Sequence, residues 1–467
     1  MRVHDGLEYY ARTQPDLVFA SQGGRSLTFA EADVAANRFA RALRASGVER
    51  GTRFAWLGKN SIDMAVMFCA GSKLGAVPVP LNYRLAPPEL RVIIDDARCP
   101  VVLADGDLVA VAEAARSVEP TDGAPDPVTH WVAVQAAPPT GWHALDSWLA
   151  LAGAGEDAAG AGVDLDADVL DTDILYQMYT SGTTGRPKGV LLSHRNVLQN
   201  IEQIFGASRY RPRLGDKTLV AAPMYHASGG LSVIAAATRG LSLEIHADFD
   251  PAAVVDALSD GGVNFCTLVP VMIQLCLAVP GAAERDYSSL QLITYGAAPI
   301  GEALMRQAVS VFGCELGQGF GQTEATSCIT FLTQRDHDLA VAGRPELLAS
   351  VGRPLPGTRL AVLDDDDRPL GPREVGEIVA AGPQVMSGYW NAPDQSAATL
   401  RGGWLHTGDV GYVDEEGYVY LVDRKKDMIV TGGSNVYSVE VEKAVEDHPS
   451  VREVAVIGVP DERWGET

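Results

Sequence analysis

The chain has 467 residues, of which 46% are hydrophobic and 21% charged, and its formal net charge is −23. That length supports two or more domains around a large core. The acidic balance argues against a general nucleic-acid binder or a protein that docks on acidic membranes, since both need a basic surface, so any phosphate ligand must be held by local donors. The six cysteines (Cys69, Cys99, Cys266, Cys276, Cys314, Cys328) are scattered, with no CxxC and no His/Cys cluster. This pattern predicts reduced thiols, a cytoplasmic location and no structural zinc. The N-terminus MRVHDGLEYY lacks an apolar core of signal-peptide length, and no uninterrupted apolar run is long enough to span a bilayer.

In chain order, a short helix is expected over 7–12, ending near Thr13-Gln14-Pro15. Thr28 and Glu31 form a capping box that opens a helix to about Ser46, which Gly47 stops. Strand 53–57, helix 62–74, a strand around 76–80, helix 87–96 and strand 101–104 follow. This alternation predicts a parallel sheet covered on both faces. From about Pro120 to Asp173 the composition shifts to Ala, Gly, Pro and Asp, which predicts loops with short elements. Ser193 is placed to cap a helix over 195–205. Strands are expected at 219–222, 265–270 and 292–295, with a helix over 300–312. Asp364 to Asp367 reads as a solvated hairpin turn, 375–389 as strand, turn and strand, and 419–424 as a strand. Beyond it, strand 427–430, a glycine loop 431–435, helix 439–447 and strand 451–459 are predicted.

Four stretches carry chemistry. Tyr179 to Val190, YTSGTTGRPKGV, sits between two β-prone runs. Its glycines let backbone N–H groups converge on an oxygen-rich anion, while hydroxyls and Lys188 add donors and charge. Phosphate is the guest this composition suits. Pro187 before Lys188, and a strand where a helix would follow, set it apart from a Walker A loop. PMYHASGG, 223–230, puts His226 where a strand ends and a glycine-rich bend begins; alone, it fits a packing residue as well as a functional one. QGFGQTE, 318–324, holds Phe320, whose face suits a purine. Thr323 can hydrogen-bond a phosphate oxygen, and Glu324 is either a surface acid or a ligand for a hard cation such as Mg2+. WLHTGDV, 404–410, sets Asp409 after a glycine, as an Asx turn or as an acceptor for both hydroxyls of a ribose.

The phosphate loop resembles the signature of the adenylate-forming superfamily: acyl- and aryl-CoA synthetases, luciferase and the adenylation domains of peptide synthetases. Lys73 to Leu90 resembles a second signature of that family, and the likeness covers the chain from Leu7. The resemblance implies an α/β fold. Its large N-terminal domain (1–425) would hold two mostly parallel sheets flanked by helices, plus a small β-barrel-like subdomain. A small, truncated α+β C-terminal domain (426–467) would follow a hinge at Lys426. ATP would be bound by Thr180, Ser181, Gly182, Thr183, Thr184, Gly185 and Lys188. Gly296, Ala297, Ala298, Gly319 and Phe320 would hold adenine, and Asp409, Arg424 and Lys426 would complete the nucleotide-binding set. Lys188, Thr323, Glu324 and His226 would form the catalytic group, with Mg2+ on Glu324 and His226 gating or orienting beside the carboxylate.

The implied activity is that of an AMP-forming acid–thiol ligase that makes an acyl-adenylate and then a coenzyme A thioester. The pocket segments (the His226 bend, Val269-Pro270, Gly296 and Ala325 to Ile329) are small and mostly uncharged, with no strong cation. They favour a fatty or aromatic monocarboxylate over a dicarboxylate or an amino acid. Partners are thus a small carboxylic acid, ATP and coenzyme A, with no nucleic acid; a homodimer is compatible with this. The alternatives are a stand-alone acyl-AMP ligase that loads a carrier protein and a non-catalytic nucleotide- or acyl-binding relative. Family members carry a further C-terminal lysine that contacts the substrate carboxylate and the α-phosphate. No residue here takes that role, so the sequence is expected to be cut or to stop where order stops, and such a chain is expected to adenylate poorly.

Overall fold

The computed structural model describes residues 1–153, 168–180, 186–298, 300–425, 427, 429–431, 434–446, 448, 450, 451, 454–461 and 465–467. The strand–helix alternation near the N-terminus builds a five-stranded parallel sheet in the order Val77–Leu81, Arg53–Leu57, Val101–Asp105, His130–Val134, His143–Ala144. The middle three of these strands read as near-continuous apolar runs because both faces are covered. Helix Phe29–Ala45 starts as its capping box requires. Thr28 Oγ1 accepts from Glu31 N at 3.2 Å, and a Glu31 carboxylate oxygen accepts from Thr28 N at 2.8 Å. Helix Ile62–Leu74 is buried nearly all round, which explains why its sequence lacks a polar face.

A nine-stranded mixed sheet forms the second layer system. At its centre, strands Ser242–Ile245, Lys217–Val220, Val263–Thr267, Leu292–Gly296 and Glu315–Phe320 run parallel. Their carboxyl ends deliver His226, Gly296 and Glu324 to one edge, where open α/β sheets bind ligands. A three-stranded antiparallel sheet joins Ile174–Thr180, Lys188–Ser193 and Gly388–Tyr389. The barrel-like subdomain is a four-stranded antiparallel sheet of Arg359–Leu363, Gly376–Ala381, Leu405–Val413 and Val419–Arg424. The expected mixed α/β architecture is therefore the one observed.

Ala227–Arg239 is a helix where a glycine-rich bend is expected, and Ser434–Val436 is a strand within the expected glycine loop; two further parts differ more. The Ala/Gly/Pro-rich stretch contributes strand His130–Val134 to the parallel sheet, where Trp131 packs against Trp142 with ring centroids 5.2 Å apart. One short apolar run is all a strand inside a covered sheet needs, and the surrounding composition hides it. At the other end, the strand predicted over 451–459 is absent from described residues 454–459; a two-residue strand, Pro460–Asp461, pairs with Gly465–Glu466 instead. Ile457 is 75% exposed and Val459 49% exposed. β-prone residues form a strand only where a neighbour buries one face, and no described neighbour does so here.

Candidate active site

The root of the phosphate loop is built from two strands in register, with Thr180 opposite Lys188. The loop tip, Ser181 to Gly185, lies outside the described residues, as does Lys426. Below the tip a buried network fixes the root. Tyr179 donates its hydroxyl to Asp96 Oδ2 at 2.5 Å and accepts from Gln177 Nε2 at 2.9 Å. Gln177 Oε1 in turn accepts from Arg53 Nε at 3.1 Å, and the Arg53 guanidinium stacks 3.4 Å from the centroid of the Trp390 ring. Trp390 closes the circuit, donating Nε1 to the Asp96 carbonyl and its backbone N–H to the Gly189 carbonyl, each at 2.8 Å. Burial raises the Asp96 carboxyl above its ordinary pKa, against the pull of the Tyr179 hydrogen bond.

Glu324 sits in a tight turn, Thr323–Ala325, after strand Glu315–Phe320, and is buried. Its Oε1 accepts from the Tyr389 hydroxyl at 2.8 Å and meets Thr180 Oγ1 at 3.5 Å, while its carbonyl accepts from Met386 N at 2.8 Å. Among the described residues no hydrogen bond engages Oε2, nor the Thr323 hydroxyl. The Lys188 ammonium lies 4.8 Å from the centroid of the same Tyr389 ring, a cation–π contact. Burial and then the Glu324 charge push the Tyr389 phenol up, which keeps it a donor. The turn carries strain, for Thr326 holds φ +66°, unusual for a β-branched residue, and is secured by its hydroxyl on the Gln384 carbonyl at 2.7 Å.

Gly296 and Gly319 pair across neighbouring strands. A Cβ at Gly296 would fall 2.4 Å from the Gly319 carbonyl oxygen, so only glycine fits at this close approach. Ala297, at φ +64°, and Ala298 are exposed beyond the strand end and leave an open ledge. The Tyr295 hydroxyl meets His337 Nε2 at 2.7 Å behind that ledge. Phe320 is half-buried against Val351 and against Ile378 and Val419 of the four-stranded sheet. Of the expected pocket residues, Ala325 and Ile329 are buried in a cluster with Ala380 and Leu405, so they support the subdomain contact instead of an acyl pocket.

Asp409 is presented by a bulge. Gly376–Ala381 and Leu405–Val413 pair as Glu377 with Val410, then Val379 with His406, which leaves Thr407, Gly408 and Asp409 projecting. Gly408 takes φ +74° at its apex, and Thr407 Oγ1 ties it down through the Ile378 carbonyl at 2.6 Å. Asp409 faces Arg424 in register, with Nε 3.5 Å from Oδ1. Burial lifts the Asp409 carboxyl to about 6; Arg424 pulls it down, and the charges of Glu324 and Glu377 add to the rise. Asp409 and Glu324 therefore share one electrostatic environment. Together with the Tyr389 bridge, this brings the three distant motifs to one place.

His226 is exposed at the N-cap of helix Ala227–Arg239, its ring 4.4 Å from that of Tyr225. Asn60 pins the approach, accepting from Met224 N at 2.7 Å and donating to the Ala222 carbonyl at 3.0 Å. Desolvation, then the Arg84 cation, holds the His226 ring below its ordinary pKa, so it is neutral at pH 7. Arg84 reaches this bend from the turn after Val77–Leu81 and donates to the Tyr225 hydroxyl at 2.6 Å. No local pattern signals a cation beside His226, because Arg84 lies 142 positions away in the chain. Nor is Tyr389 or Asp96 marked; the Gly388-Tyr389-Trp390 strand end is the one local signal. An open cavity of about 550 Å³ at the amino ends of the central strands is lined in part by Arg209, Tyr210 and Glu315. There Glu315 already serves backbone N–H groups of Arg209 and Tyr210, so this cavity is structural.

Comparison with known proteins agrees with this geometry. Residues 7–390 match the family model of AMP-binding enzymes, and residues 440–467 match that of the AMP-binding enzyme C-terminal domain. The chain is 35% identical over 465 residues to the fatty acid–[acyl-carrier-protein] ligase ScoC of Streptomyces coeruleorubidus, covering 98% of this chain and 84% of that protein. It is 36% identical over 460 residues to a feruloyl-CoA synthase of Amycolatopsis sp, covering 98% of this chain and 85% of that one. A solved Mycobacterium tuberculosis fatty acyl CoA synthetase superposes with a TM-score of 0.83 at 32% identity, covering 100% of this chain and 86% of the other. With the loop root, the acidic turn and the Asp409 bulge converging as they do, the chain belongs to the AMP-binding enzyme family, the adenylate-forming acid–thiol ligases.

Proposed function

We propose that the protein activates a fatty or aromatic monocarboxylate with ATP and transfers the acyl group to the thiol of coenzyme A. The observation that carries this reading is the junction at Tyr389, which joins Lys188 of the phosphate loop to Glu324, whose charge in turn acts on Asp409. Attack of a carboxylate on the α-phosphate brings negative charges together, so the site must neutralise phosphate oxygens and hold the attack in line. Thr180 and Lys188, with Ser181 to Gly185 at the loop tip, hold the phosphates. Thr323 offers its unengaged hydroxyl. Gly296, Ala297, Ala298, Gly319 and Phe320 receive adenine, while Asp409 accepts from the ribose hydroxyls and Arg424 backs it. The carboxylate oxygen forms the bond to the α-phosphorus as the bond to pyrophosphate breaks; the thiol sulfur then attacks the acyl carbon, and AMP leaves with the bonding pair.

Glu324 fits Mg2+, because one carboxylate oxygen is held by Tyr389 while the other is unengaged, and this cation takes one or two carboxylates together with substrate phosphates. When bound, it offsets charge on the leaving pyrophosphate. The neutral His226 ring orients or gates beside the carboxylate instead of carrying charge. Lys426 is the hinge between residues 1–425 and 426–467, and rotation there lets one site serve both half-reactions. Buried free cysteines suit a reducing cytoplasm, and among the described residues no helix is long and apolar enough to cross a membrane.

The similarity to a carrier-protein ligase supports a second acceptor, the thiol of an acyl carrier. Release of AMP from ATP across a panel of acids separates the readings. A synthetase turns over with coenzyme A, a carrier ligase turns over with a carrier protein alone, and absence of acid-dependent ATP cleavage under either condition, in a protein that also carries the family's C-terminal lysine, would overturn both.

A further inference from the structure

Glu377 opens strand Gly376–Ala381, is 8% exposed and is used by none of the steps above. Its Oε1 accepts from Gly408 N at 3.2 Å, at the apex of the bulge that presents Asp409. Its Oε2 accepts from Lys425 Nζ at 3.4 Å and contacts His406 Nδ1 at 3.2 Å, with Arg401 NH2 at 3.7 Å. Lys425 directly precedes Lys426, and its backbone N–H donates to the Gly408 carbonyl at 2.8 Å. The other partner of Lys425, Asp365, is 3.0 Å away but 93% exposed, where screening leaves an ion pair little strength. Lys425 thus pairs with two carboxylates, the closer but exposed Asp365 and the buried Glu377, and only Glu377 also holds the bulge. A buried acid left with fewer donors is costly, so Glu377 resists any motion that parts the bulge from residue 425.

We propose that Glu377 is a positioning residue that clamps the Asp409 bulge to Lys425, so that this carboxylate reinforces the Lys425–Gly408 backbone bond in coupling occupation of the nucleotide site to movement of the segment after Arg424. The proposal rests on the nucleotide reading of the site. It predicts that ATP bound at Asp409 stiffens the bulge and, through Glu377, the segment at 425–431. Glu377→Gln keeps the shape and an acceptor for Gly408 N but removes the charge that holds Lys425. Lys425→Met removes the same link from the other side at a half-exposed position, which guards against a folding defect at the buried one.

The test is hydrogen–deuterium exchange of the 425–431 peptide with and without ATP and Mg2+, together with the Kd for ATP by calorimetry, on the wild type, both single variants and the double variant. In the wild type, ATP slows exchange of this peptide. In either single variant that protection is lost and ATP binds about fivefold more weakly, and the double variant is no worse than the weaker single. Protection unchanged in Glu377→Gln and Lys425→Met, or a double variant equal to the product of the singles, overturns the clamp while leaving the nucleotide site standing. A wild type that does not bind ATP overturns both.

Discussion

Asp409 shows how a functional residue can be costly to the fold. Its carboxylate is part-buried and lies near two other acids; desolvation and those charges outweigh its one ion-pair partner, the exposed Arg424, and raise its pKa to about 6. The sign follows from linkage. With the folded-state pKa raised, the native protein is penalised at pH values above 6, and the penalty is relieved as pH falls from 6 towards 4. Ribose binding needs the opposite state, an ionised acceptor. Asp409→Asn is therefore expected to raise the melting temperature at pH 7.5 by a few degrees while weakening ATP binding at least tenfold. In the wild type, ATP affinity should fall as pH drops below about 6. Thermal unfolding and calorimetry across pH check both halves, and a variant that loses stability and affinity together would count against this assignment.

At the scale of elements, the phosphate loop depends on what lies beneath it. Tyr179 and Gln177 of strand Ile174–Thr180 meet Asp96 of helix Pro87–Ala97, Arg53 of the parallel sheet and Trp390 beyond strand Gly388–Tyr389. Tyr179→Phe deprives a part-buried carboxylate of its hydroxyl donor, and the cost is expected to be about 1 kcal/mol. Adding Asp96→Asn removes the stranded charge, so the double variant should recover most of the lost stability in denaturant unfolding; simple addition of the two effects would show that the hydroxyl and the carboxylate act independently. A second element-level device is the docking of helix Val3–Thr13. Val3 N donates to His194 Nδ1 at 3.2 Å, while His194 Nε2 is buried with no hydrogen-bond partner among the described residues. Burial and the neighbouring His4 depress His194 to about 3, against the pull of Asp173 and Asp5. A depressed histidine gives stability that is present above its unfolded pKa near 6.5 and lost as pH falls towards 3. His194→Asn keeps an acceptor for Val3 and should flatten the acid limb of the melting-temperature profile; parallel profiles for the two proteins would contradict this.

For the molecule as a whole, the legible features were those whose cause is local. The capping box at Thr28 and Glu31, strand Arg53–Leu57, helix Ile62–Leu74 and strand Val419–Arg424 follow from periodicity and caps that lie within a few residues. Lys188, Glu324 and Asp409 were visible as motifs, because the residue types and spacings that mark them lie within a few positions of each. What escaped was set by contacts between remote parts: Arg84 beside His226, Asp96 beneath Tyr179, and Ala325 and Ile329 turned into the subdomain interface. The strand expected over 451–459 failed for the same reason, since propensity without a covering face does not make a strand.

Calorimetric titration of ATP with Mg2+ into the wild-type chain and into Lys188→Ala, Glu324→Gln and Asp409→Asn asks whether these three residues serve one site. One ATP per chain, weakened at least tenfold by each substitution with the folded state retained, is the predicted result. Saturable binding indifferent to all three, or no binding to the wild type, would contradict it.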